Sequence, residues 1–155
     1  MNHIVNTIQI MGSLESVFDL ITTTRFWPQW HPATVGVGGV IERPFRLGDQ
    51  IRERAKIGGH TYEGTWTVAE YNRPNGAVLQ GESGRVQISY SFHSDGVTTE
   101  FQRKLEFYAE DFKASVPDPN LLPKLMHDQS EQALQKLKQL VETILQKEAT
   151  LEIGD

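Results

Sequence analysis

An arginine in an apolar face is the first feature of this sequence that could do chemistry. In the run from 97 to 109, which alternates apolar and polar side chains, Arg103 shares a face with five apolar residues. These are Val97, Phe101, Leu105, Phe107 and Ala109. A period of two is typical of a strand with one face in the core, so we expect the guanidinium to point inward. Because an unpaired buried charge costs several kcal/mol, Arg103 needs either an acidic partner or a cavity with polar groups in its wall.

Glu53 is a second charge on an otherwise apolar face, where it lies between Ile51 and Ala55. One interpretation is a charge-assisted, mainly structural pair between Glu53 and Arg103. The other is a pair that also binds the polar end of a ligand. A free Arg103 would bind a carboxylate, phenolate or enolate, and a free, desolvated Glu53 could act as a general acid or base.

Tyrosine and histidine side chains supply the other acid–base candidates. Tyr62 and Tyr90 could orient a ligand oxygen, although an aromatic ring in the core with its hydroxyl at the rim is the more usual placement. His31 could move a proton, or its imidazole could form a structural hydrogen bond to nearby backbone. The candidate catalytic residues are therefore Glu53, Arg103, Tyr62, Tyr90 and His31.

Large apolar side chains with a few polar groups, the usual composition of a ligand site, complete the predicted binding set. Trp27 and Trp30 could gate the mouth of a cavity, or they could pack a short helix onto a sheet. Gln129 interrupts the apolar stripe of a long helix and is a candidate polar contact. The predicted ligand-binding residues are Trp27, Trp30, Glu53, Tyr62, Trp66, Ile88, Tyr90, Phe101, Arg103, Met126 and Gln129.

The elements that must position these side chains follow from turn residues and periodicity. A first strand over 3–11 ends at Gly12, and Ser13 caps a short helix. A second helical turn follows within 25–32. Between 34 and 109, glycine and Asp-Gly turns separate six strands in consecutive antiparallel hairpins. Beyond 119, apolar residues on one face predict a helix of about 25 residues, or roughly 37 Å.

These elements form an α+β chain with a seven-stranded sheet, two short helices and one long C-terminal helix. A sheet this wide must curl, and laying the long helix across it buries its concave face. The 155 residues fit one domain. We predict a single domain over 1–149 and a loose tail over 150–155.

Composition and residue spacing argue against several classes of function. The formal charge of −5 gives no general attraction to nucleic acid, and the absence of cysteine excludes thiolate chemistry. The five histidines show no paired metal-ligand spacing, and no glycine-rich run precedes a helix as a phosphate cradle would. We therefore expect no metal, no cofactor, no nucleic-acid partner and no membrane span. Without a visible secretory signal the default location is cytoplasmic. The sequence is compatible with either a monomer or a homodimer.

Three local patterns resemble the START-like, or Bet v 1-like, superfamily, whose bacterial members are often labelled polyketide cyclase/dehydrase or SRPBCC proteins. They are Gly-Ser-x-Glu-x-Val-Phe from Gly12, Trp27-Pro28-x-Trp30-His31-Pro32, and the pattern of leucine, lysine and glutamate from Ala133 to Glu142. Their order and spacing resemble the family over roughly residues 3 to 146. The resemblance implies a helix-grip fold around a deep cavity for hydrophobic ligands.

Three functions are consistent with that resemblance. The leading hypothesis is binding of a small or medium hydrophobic molecule, such as a lipid-like, aromatic or polyketide-like compound. The second is a cyclase/dehydrase-type enzyme without metal or nucleotide, in which orientation supplies much of the rate enhancement. The third is a protein-interaction module, which would need an exposed apolar or charged patch that the sequence does not reveal.

Overall fold

The computed structural model describes residues 1–154 of the chain. Its strands are β1 (Asn2–Met11), β2 (Thr34–Gly39), β3 (Gln50–Ile57), β4 (His60–Asn72), β5 (Gly76–Gly81), β6 (Gln87–Ser94) and β7 (Thr98–Phe107). Its helices are α1 (Leu14–Ile21), α2 (Trp27–Trp30) and α3 (Leu122–Gly154), with short 3₁₀ turns before α2, after β7 and before α3.

The seven strands form one antiparallel sheet in the order β1-β7-β6-β5-β4-β3-β2. Six of the strands follow one another in hairpins, and β1 pairs with the last of them, β7. This curled sheet, the short helices and the long C-terminal helix confirm the predicted helix-grip fold.

Helix α1 begins as the sequence predicts. The Ser13 hydroxyl accepts a hydrogen bond from the Ser16 backbone N–H at 3.2 Å, which satisfies one of the free donors at a helix start. Val17, Phe18 and Ile21 are buried on one face of α1. This face packs against the sheet, and the Phe18 ring meets Phe92 of β6 edge to face with centroids 5.0 Å apart.

Helix α3 packs along β1, which is an edge strand of the sheet. The Lys138 ammonium donates to the Gln9 backbone carbonyl at 2.8 Å, and the Met11 backbone N–H donates to the Glu142 carboxylate at 2.7 Å. Lys138 and Glu142 also pair with each other at 2.7 Å. The helix therefore bonds directly to the backbone of the edge strand as well as covering the sheet.

The turn between β3 and β4 anchors the segment that leads into α3. Gly58 adopts a φ of +60°, a conformation that favours glycine, and a Cβ there would collide with the Ser115 carbonyl oxygen. The Gly59 N–H donates to that same oxygen at 3.2 Å. The contact holds residues 108–121 against one end of the sheet.

The structure differs from the sequence-based prediction at Val97, at Ala109 and at the C-terminal end of α3. Val97 is 72% exposed, because it lies in the turn before β7 rather than in the strand. Ala109 follows the end of β7 and starts a 3₁₀ turn. Helix α3 continues to Gly154, through positions where the sequence predicts a loose tail, and the final residue of that tail, Asp155, lies outside the described residues.

Candidate functional site

A cavity of about 310 Å³ lies between the sheet and α3. Its wall is mostly apolar, with side chains that include Ala33, Ala55, Ile57, Ile88, Leu105 and Met126. This volume is at the lower end of the range for small-molecule sites. The sheet and the helix therefore enclose space for a small or medium-sized molecule.

The cavity opens at the β3–β4 side of the sheet. A second, more polar depression of about 510 Å³ shares part of its lining with the cavity. The shared residues are Glu53, Glu63, Gly64, Thr65 and Glu82. At Gly64 an added Cβ would meet only the Glu82 carboxylate, at 3.9 Å, so missing side-chain bulk leaves this part of the wall open.

Seven of the predicted binding residues line the cavity, and the candidate His31 lines it as well. The seven come from β3, β4, β6, β7 and α3 and are Glu53, Tyr62, Trp66, Ile88, Arg103, Met126 and Gln129. Alternation along the strands brings the inward residues together, and helical spacing places Met126 and Gln129 on one side of α3. Their roles toward a ligand stay predictions.

The structure places the other four predicted binding residues away from the cavity wall. Trp27 and Trp30 are 3% and 2% exposed and belong to the core where α2 meets β2 and α3. They pack the short helix and do not line the cavity. Tyr90 and Phe101 are also core residues, with ring centroids 5.1 Å apart in an edge-to-face contact.

Arg103 points inward and is 7% exposed. Its Nη1 donates a hydrogen bond of 3.2 Å to the hydroxyl of Ser130 on α3. Its Nε is buried without an acceptor among the described residues. Tyr90, its neighbour on β6, is a further neutral hydrogen-bond partner. The guanidinium thus lies in the cavity wall with neutral partners and no carboxylate among the described residues.

Glu53 is held by two neutral donors. The Thr34 hydroxyl donates to one carboxylate oxygen at 2.6 Å, and the Trp66 indole N–H donates to the other at 3.0 Å. Both donors lie on the strands that flank β3, with Thr34 starting β2 and Trp66 within β4. The carboxylate is therefore positioned at the cavity wall by its neighbouring strands.

The predicted pair between Glu53 and Arg103 is wrong. None of the ion pairs among residues 1–154 includes either side chain. In the sheet, three strands lie between β3 and β7, so the two charges occupy different walls of the cavity. Hydrogen bonds to Thr34 and Trp66 take the place of the ion pair at Glu53, while Arg103 is left without a carboxylate.

His31 ends α2 and accepts a hydrogen bond at Nδ1 from the Ala33 backbone N–H, at 3.1 Å. Burial and the positive charge of Arg103 hold the pKa of His31 well below its ordinary value. The imidazole is thus neutral near pH 7, and because Nδ1 accepts, the proton sits on Nε2. His31 therefore contributes an N–H donor beside the cavity.

The two tyrosines differ in their surroundings. The Tyr62 hydroxyl and the Ser115 hydroxyl are 2.6 Å apart and hydrogen bonded, which ties β4 to the segment before α3. Tyr90 pairs with Arg103 across β6 and β7. Burial raises the pKa of Tyr90 to about 12, so its phenol keeps its proton at neutral pH.

We expect the stability of the protein to fall as the pH drops from 7 to 5, because of His31. The unfolded chain binds a proton at the ordinary pKa of 6.5, whereas the folded protein resists protonation. Below pH 6.5 the unfolded state therefore holds more protons, and the free energy of unfolding decreases by up to about 1.4 kcal/mol per pH unit.

Urea unfolding of wild type and His31→Gln at several pH values measures this slope. Glutamine keeps an acceptor for the backbone N–H but does not titrate, so the variant should show a smaller loss of stability from pH 7 to 5. His93→Gln on β6 controls for removal of an exposed imidazole. Equal slopes in wild type and His31→Gln would disprove the assignment.

Sequence reasoning missed three polar partners of the predicted residues: Ser130 with Arg103, Thr34 with Glu53, and Ser115 with Tyr62. Ser130 could have been found, since it lies four residues after Met126 and therefore on the same face of the helix. Thr34 and Ser115 depend on strand register and on how the segment before α3 folds back, which local patterns do not reveal.

A membrane-spanning helix and a cluster of metal ligands are both absent from residues 1–154, the part of the chain that the structure describes. Within this part of the chain, none of the helices combines the length and apolarity needed to span a bilayer. In the same residues, no three His, Cys, Asp or Glu side chains cluster closely enough to hold a metal ion.

Solved structures from bacteria and plants share this fold. Protein TTHA0849 from Thermus thermophilus is 18% identical, with a TM-score of 0.73 over 92% of this chain and 99% of that one. A START superfamily protein from Mycobacterium smegmatis is 22% identical, with a TM-score of 0.68 over 92% and 98%. The major latex-like protein 151 from Panax ginseng is 12% identical, with a TM-score of 0.64 over 88% and 95%.

The sequence itself matches one family over residues 1–142, described as polyketide cyclase/dehydrase and lipid transport. No curated protein matches it at a significant level. The family match covers most of the chain, and the fold is that of the START and Bet v 1 proteins. The chain therefore belongs to the polyketide cyclase/dehydrase and lipid transport family.

Proposed function

We propose that the protein binds a small or medium hydrophobic molecule in the cavity, with the polar end of that molecule near Arg103 and Glu53. The observation that carries this proposal is the partly open cavity of about 310 Å³ with a mostly apolar wall and a few polar groups. An empty apolar space of this size forfeits packing energy. A ligand that fills it regains those contacts and removes its own apolar surface from water.

Binding is favoured over catalysis by the state of the candidate acid–base groups. Both Glu53 oxygens accept hydrogen bonds, and the Tyr62 hydroxyl is bonded to Ser115. Nδ1 of His31 is occupied, and burial raises the pKa of Tyr90 to about 12. Glu53, Tyr62 and His31 are thus engaged in hydrogen bonds within the protein and the Tyr90 phenol holds its proton, which disfavours each of them as a general base. The lipid transport in the description of the family also supports a binding role.

The neutral fluorophore N-phenyl-1-naphthylamine tests the proposal, since its emission rises when it leaves water. We expect saturable binding to the wild-type protein. Ala55→Phe on β3 adds a ring where Ala55 lines the cavity, and it should weaken binding tenfold or more by filling the space. Val97→Phe, at an exposed turn position, is the matched control and should bind like wild type.

Two results would overturn the proposal. One is the lack of saturable fluorescence enhancement with the folded wild-type protein. The other is equal affinity of the fluorophore for wild type and Ala55→Phe, which would place its binding outside the cavity. Thermal unfolding of each variant checks that the fold is intact.

A further inference from the structure

We propose that the cavity selects amphipathic monocarboxylates, with the carboxylate bound at Arg103 and the apolar body along the rest of the wall. This inference rests on the proposed function and deepens it by naming the charge and the class of the ligand. It starts from a buried charge in the cavity wall that lacks any strong partner among the described residues.

Arg103 is a buried cation without a counter-ion within residues 1–154. It is 7% exposed, the side chains that it hydrogen bonds in this part of the chain, Ser130 and Tyr90, are neutral, and its Nε has no acceptor there. A charge removed from water in this way costs several kcal/mol unless an opposite charge compensates it. The folded chain carries this cost, and an anion in the cavity would offset it.

Two carboxylates of the surrounding elements are already engaged elsewhere. Glu53 lies on another wall and accepts hydrogen bonds from Thr34 and Trp66. Glu131, next to Ser130 on α3, accepts a hydrogen bond of 2.5 Å from the Asn6 amide. Asn6 is the β1 neighbour of Arg103. The chain thus places acidic groups around the guanidinium without pairing one to it.

The other polar groups near Arg103 are donors, which an anion requires. His31 is neutral and lines the cavity, and because its Nδ1 is occupied it offers the Nε2 proton. Tyr90, the cross-strand neighbour of Arg103, lies behind it in the core and keeps its phenolic proton, so it brings no negative charge that would repel an anion. A cationic fork with a neutral donor at the cavity wall matches an acceptor that carries one negative charge.

The chemistry of the cavity favours a carboxylate over other anions. A phenol or an enol is neutral at pH 7 and would need a base to ionise, whereas a carboxylic acid is already ionised. A doubly charged phosphate would meet the Glu53 carboxylate in the same cavity without a second cation. The rest of the wall is mostly apolar, with Ile88, Leu105 and Met126 among its residues, while Glu63 and Glu82 lie where the cavity meets the second depression. We therefore expect the body of the ligand to be apolar.

The test compares 2-naphthoate with 2-naphthamide, which has nearly the same shape but no charge. Each compound displaces N-phenyl-1-naphthylamine from the wild-type protein, from Arg103→Met and from Arg103→Lys. Arg25→Met is the matched control, because it also removes one positive charge but from a side chain that is half exposed. The measured quantity is the ratio of the two dissociation constants at pH 7.

We expect the wild-type protein and Arg25→Met to bind the naphthoate at least tenfold more tightly than the naphthamide. In Arg103→Met the ratio should fall close to one, because the charge that distinguishes the two compounds has no partner there. Arg103→Lys keeps the charge but loses the planar fork, and it should retain part of the preference.

The outcomes separate this inference from the proposed function. If the wild-type protein binds the fluorophore but shows no preference for the naphthoate, the inference is wrong and the proposed function stands. A preference that persists in Arg103→Met would also overturn it, because the charge would then be recognised elsewhere. If the folded wild-type protein binds neither the fluorophore nor either naphthyl compound, the proposed function fails and this inference fails with it. The ratio of the two dissociation constants in the wild-type protein decides whether the cavity prefers the naphthoate. This outcome does not depend on the folding of any variant.

Discussion

Replacing Arg103 with methionine is expected to raise the free energy of unfolding of the ligand-free protein by about 1 to 3 kcal/mol. The guanidinium is buried with neutral hydrogen-bond partners only, and methionine is also unbranched and flexible but shorter and uncharged. The Ser130 hydroxyl that loses its partner can bond to a backbone carbonyl of its own helix. Urea unfolding at pH 7 measures the change.

Arg103→Lys is the control for this prediction, because it keeps a buried charge and should bring no gain in stability. A lower free energy of unfolding for Arg103→Met than for wild type would contradict the view of Arg103 as an uncompensated cation. Taken with the loss of carboxylate preference, a gain would identify Arg103 as a residue kept for binding at a cost in stability.

Phe101→Ala is expected to destabilise the protein by about 3 to 5 kcal/mol. Phe101 is fully buried on β7, and its ring contacts Tyr90 and Phe92 with centroids 5.1 and 5.0 Å away. Truncation removes the transfer free energy of the ring, leaves a void and breaks two aromatic contacts. Chemical denaturation with fluorescence detection gives the magnitude.

The matched control is Val97→Ala, which changes an exposed residue just before the same strand and should alter stability by less than about 0.5 kcal/mol. If Phe101→Ala cost as little as this control, the ring would have to face open space. Phe101 would then belong to the cavity wall, as the sequence predicts, and not to the core.

Local patterns were sufficient to predict the order of the elements. Alternation along β7 placed Phe101 and Arg103 on the inner face, and Ser13 marked the start of α1. These features depend on neighbours within a few residues along the chain. The inward direction of Arg103, which is a property of a single strand, could be predicted for the same reason.

The hydrogen-bond partners of the cavity residues depend on which strands lie side by side, and local sequence patterns do not reveal this arrangement. Glu53 bonds to Thr34 and Trp66 because β2 and β4 flank β3. An apolar face also looks the same whether its residues line a cavity or fill a core. For this reason the sequence predicts Tyr90 and Phe101 in the cavity wall, although their rings pack against other aromatic side chains.

The bonds between α3 and β1 bear on how the protein avoids aggregation. An edge strand presents unpaired N–H and C=O groups that can recruit a strand from another molecule. On β1, Lys138 and Glu142 occupy the Gln9 carbonyl and the Met11 N–H. The opposite edge, β2, is short, glycine-rich and irregular in its pairing at Thr34 and Gly36. Charged side chains thus protect the β1 edge of the sheet. The short, irregular β2 edge is a poor template for intermolecular β-pairing.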